Sequence, residues 1–341
     1  MAMSSTSTRR ARAQNADTPF RRRRDMALLG GLVLLVLAGL VGTAMATGWD
    51  ETLDALTSLT VLQIVLLLAL SLVNYMLRGL RWHLFSSRLG TGLSLLQNLR
   101  HFMGGFAMSV TPGRVGELVR MRWIGREAGW SFDRTAPLVL VDRASDLAAM
   151  AILLAIAMTF TTTGVSGAMP VVILSLILSW MASRPAILRQ AAAWGHGMTL
   201  RRLPRLFARV RRAARAMGRF TSPGTMVVAT FLGVAGWAAE GVAFHLLLVW
   251  MGADIGLGTA IAIFVFATLA GGLTGAPGGL GGAEAAIVAL LVLDGVPLEI
   301  ALPATLIIRV TTLWFAIAIG LGVFPWAERQ SKKSLDALEN S

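Results

Sequence analysis

The sequence has 341 residues, of which 55% are apolar and only 14% are charged, and its mean hydropathy is +0.67. Soluble domains carry about 25% charged residues, and the apolar residues here come in blocks near the roughly 20 residues that cross a bilayer as a helix, so an ordinary soluble protein is excluded. The absence of cysteine excludes disulfides and thiolate chemistry, and the net charge of +13 comes from basic residues beside apolar blocks, which favours membrane topology over nucleic-acid binding.

In chain order, the arginine-rich residues 1–25 are predicted to be a cytoplasmic tail, and residues 26–326 a single membrane domain. Apolar blocks predict six spanning helices, at about 26–47, 56–77, 136–160, 170–183, 225–250 and 300–324. Two further apolar stretches, 91–131 and 257–293, are interrupted by glycine and proline, which predicts re-entrant hairpins or pairs of short helices. A basic amphipathic segment at 184–220 is expected on the cytoplasmic leaflet, and residues 327–341 form a second tail. The predicted fold class is an all-α polytopic membrane protein.

Basic residues alternate along the chain with segments that have none. Lysine and arginine occur in 1–24, 78–134, 184–219 and 329–333, whereas 49–59, 161–169, 251–256 and 294–299 lack both. Since basic loops stay in the cytoplasm, the alternation holds if each broken stretch enters and leaves on one side. We therefore expect a bacterial cytoplasmic membrane protein with both termini in the cytoplasm. Arg78, Arg81 and Trp82, at the predicted end of the second helix, are interpreted as interfacial anchors.

The two broken stretches are similar in sequence. The first reads Pro112-Gly113-Arg114-Val115-Gly116-Glu117, and the second reads Pro277-Gly278-Gly279-Leu280-Gly281-Gly282-Ala283-Glu284. Arg143 follows Glu117 by 26 residues, and Arg309 follows Glu284 by 25. The order helix, broken stretch, helix thus occurs twice, and the two copies enter the membrane from opposite sides. This arrangement predicts an inverted-topology repeat with a substrate site near the midplane.

Charged and glycine residues of this repeat suggest binding of an anionic group. Helices starting near Gly113 and Gly278 would direct free N–H groups into a cavity, and arginine is suited to phosphate. The candidate substrate-binding residues are Arg114, Arg120, Arg143, Arg309, Gly113, Gly278, Glu117, Glu284, Asp142 and Asp146. Two questions stay open. Glu117 and Glu284 either cap helices or bind protons. The acidic residues near Arg143 either belong to the binding site or neutralise Arg143 and hold helices together.

At this point the chain resembles the lysylphosphatidylglycerol synthase transmembrane family, also described as flippase-like integral membrane proteins. The resemblance covers about 26–326 and is carried by Arg78-Gly79-Leu80-Arg81-Trp82, residues 112–120, Asp142-Arg143-Ala144-Ser145-Asp146-Leu147 and residues 277–284. It implies a membrane part associated with moving a lipid between leaflets. In full-length synthases a cytosolic aminoacyl-transfer domain follows, for which this sequence has no room, so lysyl transfer is not expected. Stand-alone members accompany several lipid pathways, so the resemblance fixes no substrate.

The predicted function is flippase-like movement of a phospholipid or polyprenyl-linked lipid, with an anionic head group, between leaflets. No catalytic residue, metal or cofactor is expected, and the partners are membrane lipids and a lipid-synthesis enzyme. One alternative is a membrane transferase with a polyprenyl-phosphate or phospholipid donor, in which Asp142 and Asp146 would hold a divalent metal. The other is an accessory subunit that only scaffolds a lipid synthase.

Overall fold

The structure is a computed structural model that describes residue 57 and residues 59–111, 115–161, 168–198, 214–220, 222–273 and 277–340. Within these residues the regular structure is entirely helical. The α-helices are α1 (Val61–Leu89), α2 (Leu95–Gly104), α3 (Val115–Ala128), α4 (Phe132–Met158), α5 (Ala168–Ser183), α6 (Pro185–Met198), α7 (Pro223–Trp250), α8 (Leu257–Leu273), α9 (Gly282–Leu293), α10 (Leu298–Arg309) and α11 (Phe315–Asn340). Short 3₁₀ turns occupy Gly105–Met108, Met217–Arg219 and Pro277–Gly279, and a π-helical segment, Val310–Trp314, joins α10 to α11.

Three of the described helices are long and apolar enough to cross a membrane, namely Val61–Leu89, Pro223–Trp250 and Leu298–Ala337. Shorter apolar helices are Ala168–Ser183, Leu257–Gly272 and Gly282–Leu293. These helices confirm the all-α membrane class. The spanning helix predicted at 26–47 and the tail at 1–25 lie outside the described residues, as do residues 199–213 of the basic segment.

Local sequence signals account for where the first helices begin. At the start of α1, Thr60 Oγ1 accepts from the backbone N–H of Gln63 at 3.3 Å, and Gln63 Oε1 accepts from the Thr60 N–H at 2.7 Å. Ser94 and Gln97 form the same reciprocal pair at the start of α2. Both capping boxes satisfy N–H groups that a helix start leaves free.

Two helix ends differ from the sequence prediction. The helix predicted to end near 77 continues to Leu89, where Gly90 in the left-handed region (φ 85°) terminates it. The last helix continues past the predicted end at 324 to Asn340. Glu328 contacts Arg126 at 2.8 Å and thereby fixes this extension against α3. Polar residues therefore continue both helices because they have partners on neighbouring helices.

Small residues bring α7 close to two other helices. A Cβ added at Gly236 would lie 3.5 Å from the Asn74 carbonyl oxygen of α1, and one at Gly233 would lie 2.7 Å from the Ala149 Cβ of α4. Helices in membranes associate through such close backbone approaches. The three helices therefore form a tight group around the charged residues described next.

Each broken stretch contains two described helices, α2 and α3 in the first and α8 and α9 in the second. In the first, a Cβ at Gly116 of α3 would overlap the Gly105 carbonyl oxygen. In the second, a Cβ at Gly271 of α8 would lie 2.7 Å from the Ala283 Cβ of α9. Glycine is required at both contacts because the helix pairs pack backbone against backbone.

Candidate functional site

A cavity of about 210 Å³ lies between the two broken stretches and the long helices α1, α4 and α7. Its described wall carries four arginines and two glutamates. These are Arg78, Arg120, Arg143, Arg309, Glu117 and Glu240. If all six are ionised, the wall has a net charge of +2 (four minus two). The volume lies below the ~300 Å³ of a small drug-sized pocket, so the cavity suits a head group rather than a whole lipid.

Arg120 is a buried cation that forms no ion pair with a carboxylate of the described residues. It is 4% exposed, and its Nε has no hydrogen-bond partner among the described residues. Its guanidinium carbon lies 4.3 Å from the centre of the Phe102 ring and 5.4 Å from that of Phe106. A Cβ at Gly105 would overlap the Arg120 side chain, so this glycine makes room for it. Aromatic faces stabilise the cation, and the side chain lines the cavity.

The two arginine–glutamate spacings found in the sequence correspond to two ion pairs. Arg143 Nε lies 2.7 Å from Glu117 Oε1, and Arg309 Nε lies 2.6 Å from Glu284 Oε1. Both arginines line the cavity, as does Glu117, whereas Glu284 is not part of the cavity wall. Each pair joins a glutamate of a broken stretch to an arginine of the helix that follows, through the same atoms, and the Arg309–Glu284 pair is also a hydrogen bond.

Asp142 and Asp146 bind arginines of α1 that the sequence did not indicate as their partners, in addition to the neighbouring Arg143. Arg81 is fully buried, and its Nη2 lies 2.8 Å from Asp142 Oδ1 and 2.6 Å from Asp146 Oδ1. Arg78 Nη2 lies 2.8 Å from the other oxygen of Asp146. Arg143 Nη1 forms an ion pair with that same oxygen at 3.5 Å, as its position three residues before Asp146 allows. The two aspartates stand outside the cavity wall and neutralise arginines of α1.

These contacts correct the interpretation of Arg78, Arg81 and Trp82 as interfacial anchors. Trp82 is 1% exposed and Arg81 is not exposed at all. The reason is that α1 is covered by α4 and α7, so its basic residues meet carboxylates instead of lipid head groups.

The sequence predicts a helix start near Gly278. In the structure Gly278 lines the cavity and does not begin an α-helix. Gly278, Gly279 and Gly281 have φ angles of 65°, 70° and 80°, which exclude an α-helix, and α9 begins at Gly282. The Gly278 carbonyl oxygen instead accepts a hydrogen bond from Arg309 Nη2 at 2.9 Å. The other predicted helix start, with Gly113 and Arg114, lies outside the described residues.

Two charged residues of the cavity wall, Arg78 and Glu240, are not in the predicted substrate-binding set. Glu240 lies on α7, 4% exposed, and belongs to neither of the repeated motifs. An ionisable residue inside an apolar helix is itself a signal of function, and the sequence shows this signal at Glu240. Arg78 could not be placed without knowing that α1 continues past it.

Residues 27–320 match the family described as the lysylphosphatidylglycerol synthase TM region. The chain belongs to this family. It is therefore a multi-pass integral membrane protein, and the family's name connects it with membrane lipids.

A similar curated protein is a UPF0104 membrane protein of Methanothermobacter thermautotrophicus, strain Delta H, which is 22% identical over 331 residues. The match covers 90% of this chain and 98% of that protein. A second match to a UPF0104 membrane protein of that organism is 31% identical over 106 residues, 31% of each chain.

Proposed function

We propose that this protein moves a lipid with an anionic head group between the leaflets of the cytoplasmic membrane. The observation that carries the proposal is Arg120, a buried cation at the cavity wall with no carboxylate partner in the described chain. Burying an uncompensated charge is costly, so a ligand anion is the natural complement. A guanidinium suits the two oxygens of a phosphate.

The two arginine–glutamate ion pairs support passage of a head group through the cavity from either side of the membrane. Glu117 and Glu284 belong to the two broken stretches, and their partners Arg143 and Arg309 belong to the helices that follow them. We propose that the two stretches are re-entrant and related as an inverted repeat within six spans. A phosphate that competes with either glutamate for its arginine would open one pair at a time. Alternation between the two pairs would pass the head group across the midplane, as inverted repeats do in transporters.

The transferase alternative depended on Asp142 and Asp146 as metal ligands. Both carboxylates accept hydrogen bonds from Arg81, and a metal would have to displace this buried guanidinium. The scaffold alternative requires no ligand in the cavity at all. The scaffold alternative therefore differs from the proposal in what it expects of Arg120, and the transferase alternative differs in what it expects of Asp142 and Asp146.

The test is lipid movement in proteoliposomes. Phosphatidylglycerol with a fluorescent acyl chain is incorporated with the protein, and external dithionite bleaches the label in the outer leaflet. With the wild type we expect bleaching to pass the half-way plateau, faster for phosphatidylglycerol than for zwitterionic phosphatidylcholine. Arg120→Ala should slow this movement about tenfold or more, because a hydrogen bond to a charged group contributes about 1.5–3 kcal/mol. Arg120→Lys should also lose activity, since lysine lacks the planar fork.

Arg134→Ala is the matched control. Arg134 also stacks on an aromatic ring, with its guanidinium carbon 3.6 Å from the centre of Trp130, but it is exposed and outside the cavity. It should move lipid at the wild-type rate. Equal rates in wild type and Arg120→Ala would contradict the proposal, and so would a wild type that moves neither phosphatidylglycerol nor phosphatidic acid.

A further inference from the structure

Glu240 differs from the other carboxylates in and around the cavity. Glu117 contacts Arg143, and Glu284 contacts Arg309. Glu240 lines the same cavity and is 4% exposed, yet it makes no hydrogen bond or ion pair within the described residues. It is thus a buried carboxylate with an open side towards the cavity.

The charged groups that face Glu240 are Arg78, Arg309 and Asp146. Arg78 from α1 binds Asp146 and lies 4.8 Å from the centre of the Trp237 ring. Arg309 binds Glu284. Both arginines that face Glu240 therefore bind another carboxylate, and Asp146 adds a negative charge of its own.

Tyr75 from α1 also faces Glu240. Its hydroxyl donates a hydrogen bond to the Thr312 carbonyl oxygen and so has no proton left to donate to the glutamate. A buried carboxylate without a donor is unfavourable in its ionised form. Binding a proton removes this cost without needing a further protein group.

We propose that Glu240 is the proton-binding site that couples lipid movement to a proton, a role that rests on the proposed function. An anionic head group in a cavity of only about 210 Å³ comes close to Glu240, and its charge disfavours the ionised carboxylate. Binding of the head group and binding of the proton therefore favour each other, and by linkage each does so to the same extent. A proton from the water on one side joins a carboxylate oxygen of Glu240 and leaves with the head group on the other side. A head group with one negative charge would then cross without net charge movement.

The test is calorimetry of the detergent-solubilised full chain with dihexanoyl phosphatidylglycerol, between pH 6 and 8. Two buffers with different ionisation enthalpies report protons taken up on binding. We expect up to one proton per lipid for the wild type. Glu240→Gln should bind the lipid at least as tightly and take up no proton. Glu299→Gln, the same change at an exposed glutamate in the first turn of α10, should behave as the wild type.

The outcomes separate this inference from the proposed function. Binding without proton uptake would overturn the inference and leave lipid binding intact, whereas no binding by the wild type would overturn both. Weaker binding of dihexanoyl phosphatidylethanolamine to Glu240→Gln, with no proton uptake by the wild type, would make Glu240 a contact for the head-group amine and overturn its proton role.

A second measurement does not depend on the folding of Glu240→Gln. In wild-type proteoliposomes with an acidic exterior and an alkaline lumen, labelled phosphatidylglycerol should accumulate in the inner leaflet, protected from dithionite. Glu299→Gln should show the same accumulation. A distribution that ignores the pH gradient, or follows a sodium gradient instead, would overturn the proposal.

Discussion

Arg81 is buried without any exposed surface, and two carboxylates share its charge. Replacing a buried ion pair as a whole can be neutral, but removing one partner leaves the other charge buried and unpaired. Arg120 shows the opposite arrangement, in which aromatic rings surround a cation and no described carboxylate does. The same residue type thus stabilises the fold at one position and is available to a ligand at the other.

Arg81→Met should be strongly destabilising, because Asp142 and Asp146 would lose their shared cation. We expect a loss of about 3–5 kcal/mol in the free energy of unfolding, measured by chemical unfolding in one detergent. Arg122→Met is the matched control, since Arg122 Nη2 also lies 2.8 Å from a carboxylate, that of Glu328, but its side chain is 40% exposed. It should lose less than about 1 kcal/mol. Similar losses for both variants would show that burial of Arg81 does not matter.

At this scale the sequence predicted a shared site for Arg143 and Arg309, but not the ion pairs that these arginines form. The contacts of Glu117 with Arg143 and of Glu284 with Arg309 agree with the shared site inferred from their spacing, and their role in substrate binding stays a prediction. The burial of Arg81 was not predictable, because an arginine beside a tryptophan is equally typical of an interface. Only the packing of α4 and α7 against α1 distinguishes a buried arginine from an interfacial one.

Among the elements, α11 depends on one glycine where it crosses the first broken stretch. A Cβ at Gly320 would overlap the Ala107 backbone nitrogen and lie 2.7 Å from the Phe106 carbonyl carbon. Both neighbours belong to the 3₁₀ turn Gly105–Met108, which forms part of the cavity wall. Backbone atoms cannot move aside as the end of a flexible side chain can.

Gly320→Ala should therefore separate α11 from this turn, lower thermal stability in detergent and reduce lipid movement. Gly322→Ala, two residues along the same helix, meets nothing within 4 Å. It should be neutral or stabilising by up to about 1 kcal/mol, since alanine is the better helix former. Comparable melting temperatures for the two variants would mean that the close approach at Gly320 is relaxed without cost.

The elements also show where a single sequence is insufficient. Proline and glycine correctly indicated a break before α9, but they could not show that Gly278 has a positive φ and that the helix begins four residues later. The sign of φ depends on the surroundings, here the Arg309 side chain that binds the Gly278 carbonyl oxygen. The last helix likewise extends to Asn340 because Glu328 meets arginines of α3, a contact between distant parts of the chain.

For the whole molecule, sidedness is the prediction from which most others follow. Ser131 precedes α4 beside the arginine-rich segment, and Asp254 lies in the loop before α8, which has no basic residue; both are exposed. Because the chain lacks cysteine, Ser131→Cys and Asp254→Cys each introduce one thiol. A membrane-impermeant maleimide should label Ser131→Cys from the cytoplasmic side and Asp254→Cys from the outside. Labelling of both from one side would contradict the proposed inverted repeat.

The buried arginine of α1 also affects how the protein is made. Asp142 follows Arg81 by 61 residues, and ribosomes add about 5–20 residues per second, so on the order of 3–12 s pass before the partner exists. During this time the guanidinium needs water or lipid phosphates, which a long side chain near a helix end can reach. We therefore expect the final depth of α1 in the bilayer to be set after its insertion, by a helix synthesised later.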